Sequence, residues 1–204
     1  MFFDIPRQIH CDDPAQEKLL QIIPALKELD TETIFEGLNF NGWKIWADLP
    51  HFGWIATEFI ESIGSDSPGY KNFSVFGARL TRERLSDCSV WGIWALRSAL
   101  EEKPDPRARS HADYGLELNA HIPLAAKWVA VGGERIREME YELGPSEKGG
   151  KLWKGVEGFS TDRRAFWKER FGKIGENEMA SEVTRVLAKN TRELMERIDS
   201  EYKS

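Results

Sequence analysis

The 204-residue sequence has few of the features that usually reveal what a protein does. It has only two cysteines, Cys11 and Cys88, which are too few for a disulfide framework and lack metal spacing, so we expect two reduced thiols. No apolar run approaches the roughly 20 residues that a bilayer requires, and Asp4, Pro6 and Arg7 interrupt any secretory signal. These absences predict a soluble, cytoplasmic protein without a membrane partner.

Positive charge is scarce at the start of the chain. Residues 1–66 contain twelve Asp or Glu against four Lys or Arg, within a formal net charge of −6. An acidic segment repels phosphate backbones, and the later basic residues alternate with acidic ones, as in TRELMERIDSEYK near the C terminus. We therefore expect no nucleic-acid partner.

The motifs of common enzyme classes are absent as well. The sequence has no P-loop, nucleophile elbow, dinucleotide-binding glycine pattern or HExxH. The VGGERI segment at 131–136 has two glycines, but no strand precedes it, so it predicts a small-residue contact within a helix. No cofactor and no metal are predicted.

What the sequence has is helical periodicity along most of its length. Asp13 followed by Pro14 predicts a helix start, and Pro24 predicts a break or kink in that helix. A short turn is expected from Thr31, and residues 37–50 should be irregular or briefly extended. This first part of the chain is therefore expected to contain short elements.

Apolar residues spaced three and four apart predict the next helices. The first should bury a face formed by Phe52, Ile55, Phe59 and Ile63, and the second a face formed by Phe73, Phe76, Gly77 and Leu80. A third helix, over about 87–102, is apolar on two adjoining faces. One face holds Ile93, Leu96 and Leu100, and the other holds Val90, Trp94 and Arg97. A helix of this breadth is predicted to lie at the centre of a bundle.

The second half of the chain predicts longer helices. One helix should begin after Ser110, kink at Pro123 and end at Gly144. The Gly- and Lys-rich loop at 144–160 that follows is expected to be mobile and able to act as a lid. Ser160 or Thr161 should open the last two helices, with a buried seam of Val183, Leu187, Leu194 and Ile198. We predict one all-α domain over residues 1–204, a bundle of about seven to nine helices with a flexible N terminus at 1–12.

Several spaced motifs resemble a known family. The chain resembles a large family of filamentous-fungal proteins of unassigned function. The resemblance rests on four motifs that occur in this order: FSVFGARL, VWGIWALRSALEE, PLAAKWVAVGGERI and KLWKGVEGFSTDRRAFWKERF. The similarity covers roughly residues 40–172. It implies a helical, non-secreted fungal protein, of a kind commonly encoded beside metabolite biosynthetic genes, and it implies no catalytic residues.

Two arginines interrupt the apolar faces. Arg79 and Arg97 need a carboxylate or carbonyl partner if they are buried. For Arg97 the expected local partner is Glu101, one turn later, and Trp94 is near enough to stack on the Arg97 guanidinium. We interpret both arginines as structural anchors. The alternative is that Arg97 binds a ligand carboxylate or carbonyl at the centre of the bundle.

A carboxylate and a histidine are spaced for cooperation. Glu117 and His121 lie four residues apart on one predicted helical face, and His111, Asp113 and Tyr114 precede them by a turn or two. A carboxylate that holds one imidazole nitrogen would leave the other as a general base. An ordinary surface pair is the simpler interpretation, and two ligands without a third do not make a metal site.

Eight tryptophans are several times the usual share for 204 residues. They either fill and cap the core or line a cavity between helices that holds a bulky apolar metabolite. The predicted lining consists of Trp54, Phe76, Trp91, Trp94, Arg97, Tyr114 and Trp128.

Two classes of function follow. In the first, the protein is an accessory protein of fungal specialised metabolism that binds a polyketide- or terpenoid-like molecule. It would catalyse a cofactor-free cyclisation, isomerisation or pericyclic step on that molecule, with Glu117 and His121 as catalytic residues. In the second, it is a non-catalytic helical protein that binds a ligand or a partner. The sequence leaves both a monomer and a homodimer open.

Overall fold

The structure is a computed structural model that describes residues 2–28, 39–40, 43–44, 51–103, 111–140 and 148–202. Within these ranges the chain is mostly helical, with nine α-helices, one π-helical turn and a single pair of two-residue strands. The predicted all-α class is therefore confirmed. The turn expected from Thr31 and the start expected at Ser110 lie outside the described residues.

The chain divides into two compact units, residues 1–88 and 89–204, which are described separately. The number of domains stays a prediction. No helix in the described ranges combines the length and the apolarity that crossing a bilayer requires.

The described part of unit 1 contains five helices and two strands, and the first helix was not predicted. They are α1 (Asp4–Gln8), α2 (Ala15–Leu20), α3 (Ile22–Lys27), β1 (Asn39–Phe40), β2 (Trp43–Lys44), α4 (Phe52–Ser62) and α5 (Pro68–Arg82). The two strands pair antiparallel, Asn39 with Lys44 and Phe40 with Trp43. The break after α2 falls at Gln21, and Pro24 lies inside α3.

Helix α5 is the centre of unit 1. Ser67 caps its N terminus by accepting a hydrogen bond from the Tyr70 N–H at 3.2 Å, and Pro68 occupies the first turn, where its missing N–H costs nothing. Residues 72–81 are all buried, and α1, α2 and α4 pack against this helix. The predicted buried face of α5 is confirmed.

Phenylalanine rings fill the space between α1, α4 and α5. The centroids of neighbouring rings lie 4.9–6.4 Å apart, in a cluster formed by Phe2, Phe3, Phe52, Phe59, Phe73 and Phe76. Helix α4 buries Ala56 and Ile60, whereas Ile55 is 51% exposed, so its predicted place in the buried face was wrong. Phe3 and Cys11 are buried. The flexibility expected for residues 1–12 stays a prediction.

Residues 89–103, 111–140 and 148–202, the described part of unit 2, contain four helices and one π-helical turn. They are α6 (Ser89–Leu96), the π-turn (Arg97–Glu101), α7 (His111–Glu138), α8 (Thr161–Gly175) and α9 (Glu182–Glu201). Ile93, Leu96 and Leu100 are all fully buried, which confirms one predicted face of the segment over about 87–102, whereas Val90, Trp94 and Arg97 on the adjoining face are half-buried. Helix α7 runs through Pro123 and ends at Glu138, before the expected stop at Gly144.

Helix α9 packs against both α7 and α8. Its buried positions are Thr184, Ala188, Thr191, Met195 and Ile198. The predicted seam is therefore wrong at its first position, where Val183 is 78% exposed, and correct at Ile198. The small residue at the close contact is on α7: a Cβ placed on Gly133 would lie 2.9 Å from the Ile198 side chain of α9. This contact agrees with the interpretation of VGGERI.

Candidate functional site

The aromatic residues predicted to line a cavity lie in different surroundings. In unit 1, Phe76 is fully buried in the phenylalanine cluster and Trp54 is 64% exposed, with its indole N–H donating to Glu58 at 3.2 Å. In unit 2, Trp91 and Trp128 are fully buried, while Trp94 and Tyr114 are half-buried. Their role in ligand binding stays a prediction.

Trp128 packs against the backbone of α6. A Cβ placed on Gly92 would lie 2.8 Å from the Trp128 ring, so the indole fills the space that a larger residue would need. At this point the glycine allows α6 and α7 to pack closely through an indole. The structure thus gives at least one of the predicted cavity residues a packing role.

The predicted catalytic pair lies on the outer part of α7. Glu117 is half-buried, His121 is exposed, and no hydrogen bond joins these two described side chains. The side chains of His111 and Asp113 lie outside the described residues. A catalytic role for Glu117 and His121 stays a prediction.

The two arginines differ in burial and in partners. Arg79 is buried, and it donates to Glu17 Oε1 and to the Cys11 carbonyl, both at 2.8 Å, as expected of a structural anchor. Arg97 is half-buried and donates to the Lys148 carbonyl at 3.4 Å. The local pair expected between Arg97 and Glu101 was wrong, because Glu101 has partners elsewhere.

Glu101 is a fully buried carboxylate that accepts four hydrogen bonds. Arg163 donates from Nε at 2.7 Å and from Nη2 at 3.0 Å, Trp167 donates its indole N–H at 2.5 Å, and Gly150 donates its backbone N–H at 2.8 Å. The side chains of Glu101 and Arg163 both have no exposed surface. A charge this deeply buried is tolerated only when partners replace its lost hydration, and these four donors do so.

Glu101 is the last residue of the π-helical turn, so the carbonyls beside it lie at a helix end, where no intrahelical donor follows. A π-turn widens the helix and leaves carbonyls without the usual intrahelical donor, and such turns occur frequently at functional sites. Here Arg170 Nε donates to the Leu100 carbonyl at 2.9 Å, and the Leu152 N–H donates to the Glu101 carbonyl at 2.7 Å. The widened turn thus provides acceptors for α8 and for the loop that precedes it.

Arg163 holds the C-terminal part of the segment 148–160, whereas Glu101 holds its N-terminal part. Arg163 Nη1 donates to the Gly158 carbonyl at 2.8 Å, and Gly158 has a φ of 85°, a conformation that favours glycine. The guanidinium also lies 5.3 Å from the Trp167 ring and 6.0 Å from the Trp153 ring. Residues 148–160 contain no helix, as predicted, and both ends of this segment are attached to the ion pair.

A surface groove of about 330 Å³ adjoins this segment. We call it the acidic groove, and its lining is Glu140, Val156, Glu157, Phe159, Ser160, Thr161 and Asp162. Ser160 caps α8 by accepting from the Arg163 N–H at 3.1 Å, which confirms the predicted helix start, and the Thr161 hydroxyl is hydrogen bonded to Glu140. The groove therefore places three carboxylates at the N terminus of α8.

The wall of the acidic groove is joined to a neighbouring tryptophan. Trp153 donates its indole N–H to the Val156 carbonyl at 2.9 Å, and its ring packs on Phe166 with centroids 5.4 Å apart. On the opposite face, Gly158 and Phe159 contact Arg163 and Trp167, which belong to the buried centre. The Glu101–Arg163 pair thus holds the backbone that forms one wall of the groove.

A cluster of ion pairs lies beside the groove, between α7, α8 and α9. Asp199 accepts from Arg164 and, at 2.7 Å, from Lys168, while Arg137 Nε lies 3.4 Å from it. Burial opposes the ionisation of Asp199, but hydrogen bonds and charge from Lys168 and Arg164 outweigh it and lower the pKa of the carboxyl. The cluster joins the three helices at their exposed edge.

A second surface groove, of about 300 Å³, lies between α8 and α9. Its lining mixes both signs of charge: Ala165, Lys168, Glu169, Gly172, Lys173, Glu176, Arg192 and Glu196. None of the predicted cavity residues lines either groove. Sequence reasoning missed both grooves: the motif KLWKGVEGFSTDRRAFWKERF contributes to both linings, but on its own it indicates no ligand chemistry.

Fold and site together define an all-α protein with a buried ion-pair centre beneath an acidic surface groove. Residues 1–171 match the model of the family described as Protein of unknown function (DUF3632), and the chain belongs to that family. No curated protein and no solved structure matches the chain. Membership confirms the resemblance to a family of unassigned function, whereas its fungal origin and its motif order stay predictions.

Proposed function

We propose that the protein is a non-catalytic helical binding protein that holds a small, positively charged amphiphilic ligand in the acidic groove. The observation that carries this proposal is the lining, which combines three exposed carboxylates with the apolar Val156, which is 50% exposed, whereas Phe159 beside it is only 2% exposed. No lysine or arginine is among these lining residues. A cationic head beside the carboxylates and an apolar body against Val156 would match this pattern.

The size and the charge of the groove support the same ligand class. Its volume of about 330 Å³ lies at the lower end of the range of small-molecule sites, roughly 300–1,000 Å³. The N terminus of α8 contributes roughly half a positive charge, which Glu140, Glu157 and Asp162 together outweigh. Anions are therefore disfavoured and cations favoured.

Preorganisation is the second support. The backbone of the wall at 156–162 is attached through Gly158 to Arg163, whose charge is balanced by the buried Glu101. A wall held in this way loses little conformational freedom when a ligand binds, which leaves more of the interaction energy for affinity.

The alternative of an aromatic-lined pocket for an apolar metabolite, with or without a cofactor-free cyclisation, remains a prediction from sequence. The full burial of Trp91 and Trp128 means that a cavity at these indoles would require the surrounding helices to separate. The fungal origin, a role in specialised metabolism, a cytoplasmic location and a homodimer remain predictions as well.

The proposal is tested with three probes of equal chain length and different charge: n-octylammonium, 1-octanol and n-octanoate. Isothermal titration calorimetry should give saturable binding of n-octylammonium, with weaker binding of 1-octanol and none of n-octanoate. Added salt should weaken n-octylammonium binding, because the carboxylates are exposed to solvent.

Variants of the lining locate the binding. Glu157→Gln and Asp162→Asn should each weaken n-octylammonium by about twofold to fivefold, the range for one exposed ion pair. Glu134→Gln is the matched control, because Glu134 is exposed on α7 and does not line the groove. Equal affinity for all three probes, or binding unaffected by both lining variants, would contradict the proposal.

A further inference from the structure

We propose that His10, Cys11 and Asp12 form a binding site for a divalent transition metal, with zinc as the best match to the donor set. One imidazole nitrogen, the Cys11 sulfur and one carboxylate oxygen all lie within 4.8 Å of one another. Donor atoms at tetrahedral zinc are separated by roughly 3.3–3.8 Å, given bond lengths of about 2.0–2.3 Å. The three side chains therefore need to close by little more than about 1 Å.

The turn between α1 and α2 holds the backbone of Cys11 in place. Asn72 of α5 accepts from the Cys11 N–H at 3.0 Å, and Arg79 of the same helix donates to the Cys11 carbonyl at 2.8 Å. The Asp13 N–H donates to the His10 carbonyl at 2.9 Å, which closes the turn. Because the backbone at Cys11 is fixed, His10 and Asp12 start from defined backbone positions, and only their side chains have to become ordered when a metal binds. Such support is typical of ligand sites.

The side chains divide into a buried thiol and two exposed arms. Cys11 is fully buried, whereas the side chains of His10 and Asp12 are 68% and 54% exposed. The Asp12 N–H donates to His10 Nδ1 at 3.2 Å, which holds the imidazole next to the carboxylate; if Nδ1 binds the metal, this hydrogen bond must break. A metal would enter from the exposed side and would close the site by drawing the two arms over the sulfur.

The chemistry of the donors selects the metal. Sulfur and imidazole favour zinc and its neighbours over magnesium and calcium, which prefer oxygen alone. Three protein ligands leave a fourth tetrahedral position for water. Binding would take the thiol proton, because the thiolate is the form that coordinates. The spacing between Cys11 and Cys88 gives no sign of this group, because its other donors are the histidine and the aspartate on either side of Cys11.

Cobalt titration of the full chain tests the site, because a cobalt–thiolate bond adds a charge-transfer absorption in the near ultraviolet. The wild type should develop this absorption at one equivalent of Co²⁺ and lose it when Zn²⁺ is added. Cys11→Ser should abolish the absorption. His10→Ala and Asp12→Asn should each weaken Co²⁺ binding at least about tenfold, since each removes a direct ligand, and loss of even an outer-shell partner costs that much.

Cys88→Ser is the matched control, because Cys88 is the other buried free thiol, and this variant should keep the full absorption. His10 and Asp12 are exposed, so their variants should retain the wild-type circular dichroism spectrum and report on binding alone. The inference is overturned if the wild type develops no charge-transfer absorption, if Cys11→Ser retains it, or if His10→Ala binds Co²⁺ as tightly as the wild type.

Discussion

Neutralising Glu101 is the perturbation that most severely tests the structural account of the site. Glu101→Gln keeps the size of the side chain but removes the negative charge that Arg163 requires, and it presents an amide NH₂ to groups that are themselves donors. The four hydrogen bonds to this carboxylate cannot all survive the change. Arg163 would then be a fully buried charge that has lost the carboxylate of Glu101.

The magnitude follows from the burial of the pair. Removing one partner of a buried ion pair typically costs about 3–5 kcal/mol of unfolding free energy. For a protein of this size each kcal/mol lowers the melting temperature by about 2–4 °C, so Glu101→Gln should lower it by about 6–20 °C. Glu102→Gln is the matched control, because the neighbouring residue is half-buried and should change stability by less than about 0.5 kcal/mol.

The assay is thermal and urea unfolding, followed by circular dichroism and tryptophan fluorescence. Limited proteolysis adds a local readout, because Glu101→Gln should speed cleavage within residues 148–160, which the ion pair attaches to the helices. Glu101→Met combined with Arg163→Met should recover part of the lost stability, since an apolar pair has no unpaired charge. A Glu101→Gln protein as stable and as protease-resistant as the wild type would refute the reasoning.

Three further predictions concern other parts of the chain. Arg79→Met should lower the unfolding free energy by about 2–3 kcal/mol in urea denaturation, as loss of charged hydrogen bonds does; an unchanged denaturation midpoint would contradict its role as an anchor. Gly92→Ala should lower the melting temperature, because the new Cβ overlaps the Trp128 ring at a cost of about 1–3 kcal/mol. Gly172→Ala should be neutral or stabilising, because its new Cβ meets only a flexible side chain. The folded-state pKa of Asp199 is lowered, so its stabilising contribution is present above the unfolded-state value near 3.8 and is lost as pH falls through the folded-state pKa. Asp199→Asn should therefore be less stable than the wild type at pH 7, and the difference should shrink as pH falls below the unfolded-state value near 3.8; a difference that stays constant as the solution is acidified would contradict the assignment.

Local signals explain why much of the helical architecture was predictable. The three- and four-residue spacing of Phe73, Phe76 and Leu80 requires a buried helical face, and Ser160 caps α8 because its hydroxyl satisfies a free N–H of the first turn. The seam of α9 was less predictable. There Thr184, Ala188 and Thr191 occupy the buried positions, whereas hydropathy alone favours the more apolar Val183.

The candidate site could not be predicted, because it depends on contacts between distant residues. Glu101 and Arg163 are 62 positions apart, and the local spacing pointed instead to Arg97 as the partner. The π-turn that ends at Glu101 has no periodic signature, and the acidic groove combines Glu140 with residues of the 156–162 segment. Such arrangements arise from tertiary packing rather than from local sequence.

The most direct test of the proposed function follows the indole N–H resonances of the eight tryptophans by NMR during titration with n-octylammonium. Trp153 donates its indole N–H to the carbonyl of Val156, which lines the acidic groove, so ligand in the groove should shift this resonance saturably. The resonances of the fully buried Trp91 and Trp128 should stay unchanged. Saturable shifts at Trp91 and Trp128 with none at Trp153 would contradict the proposal and would favour the aromatic pocket between the helices.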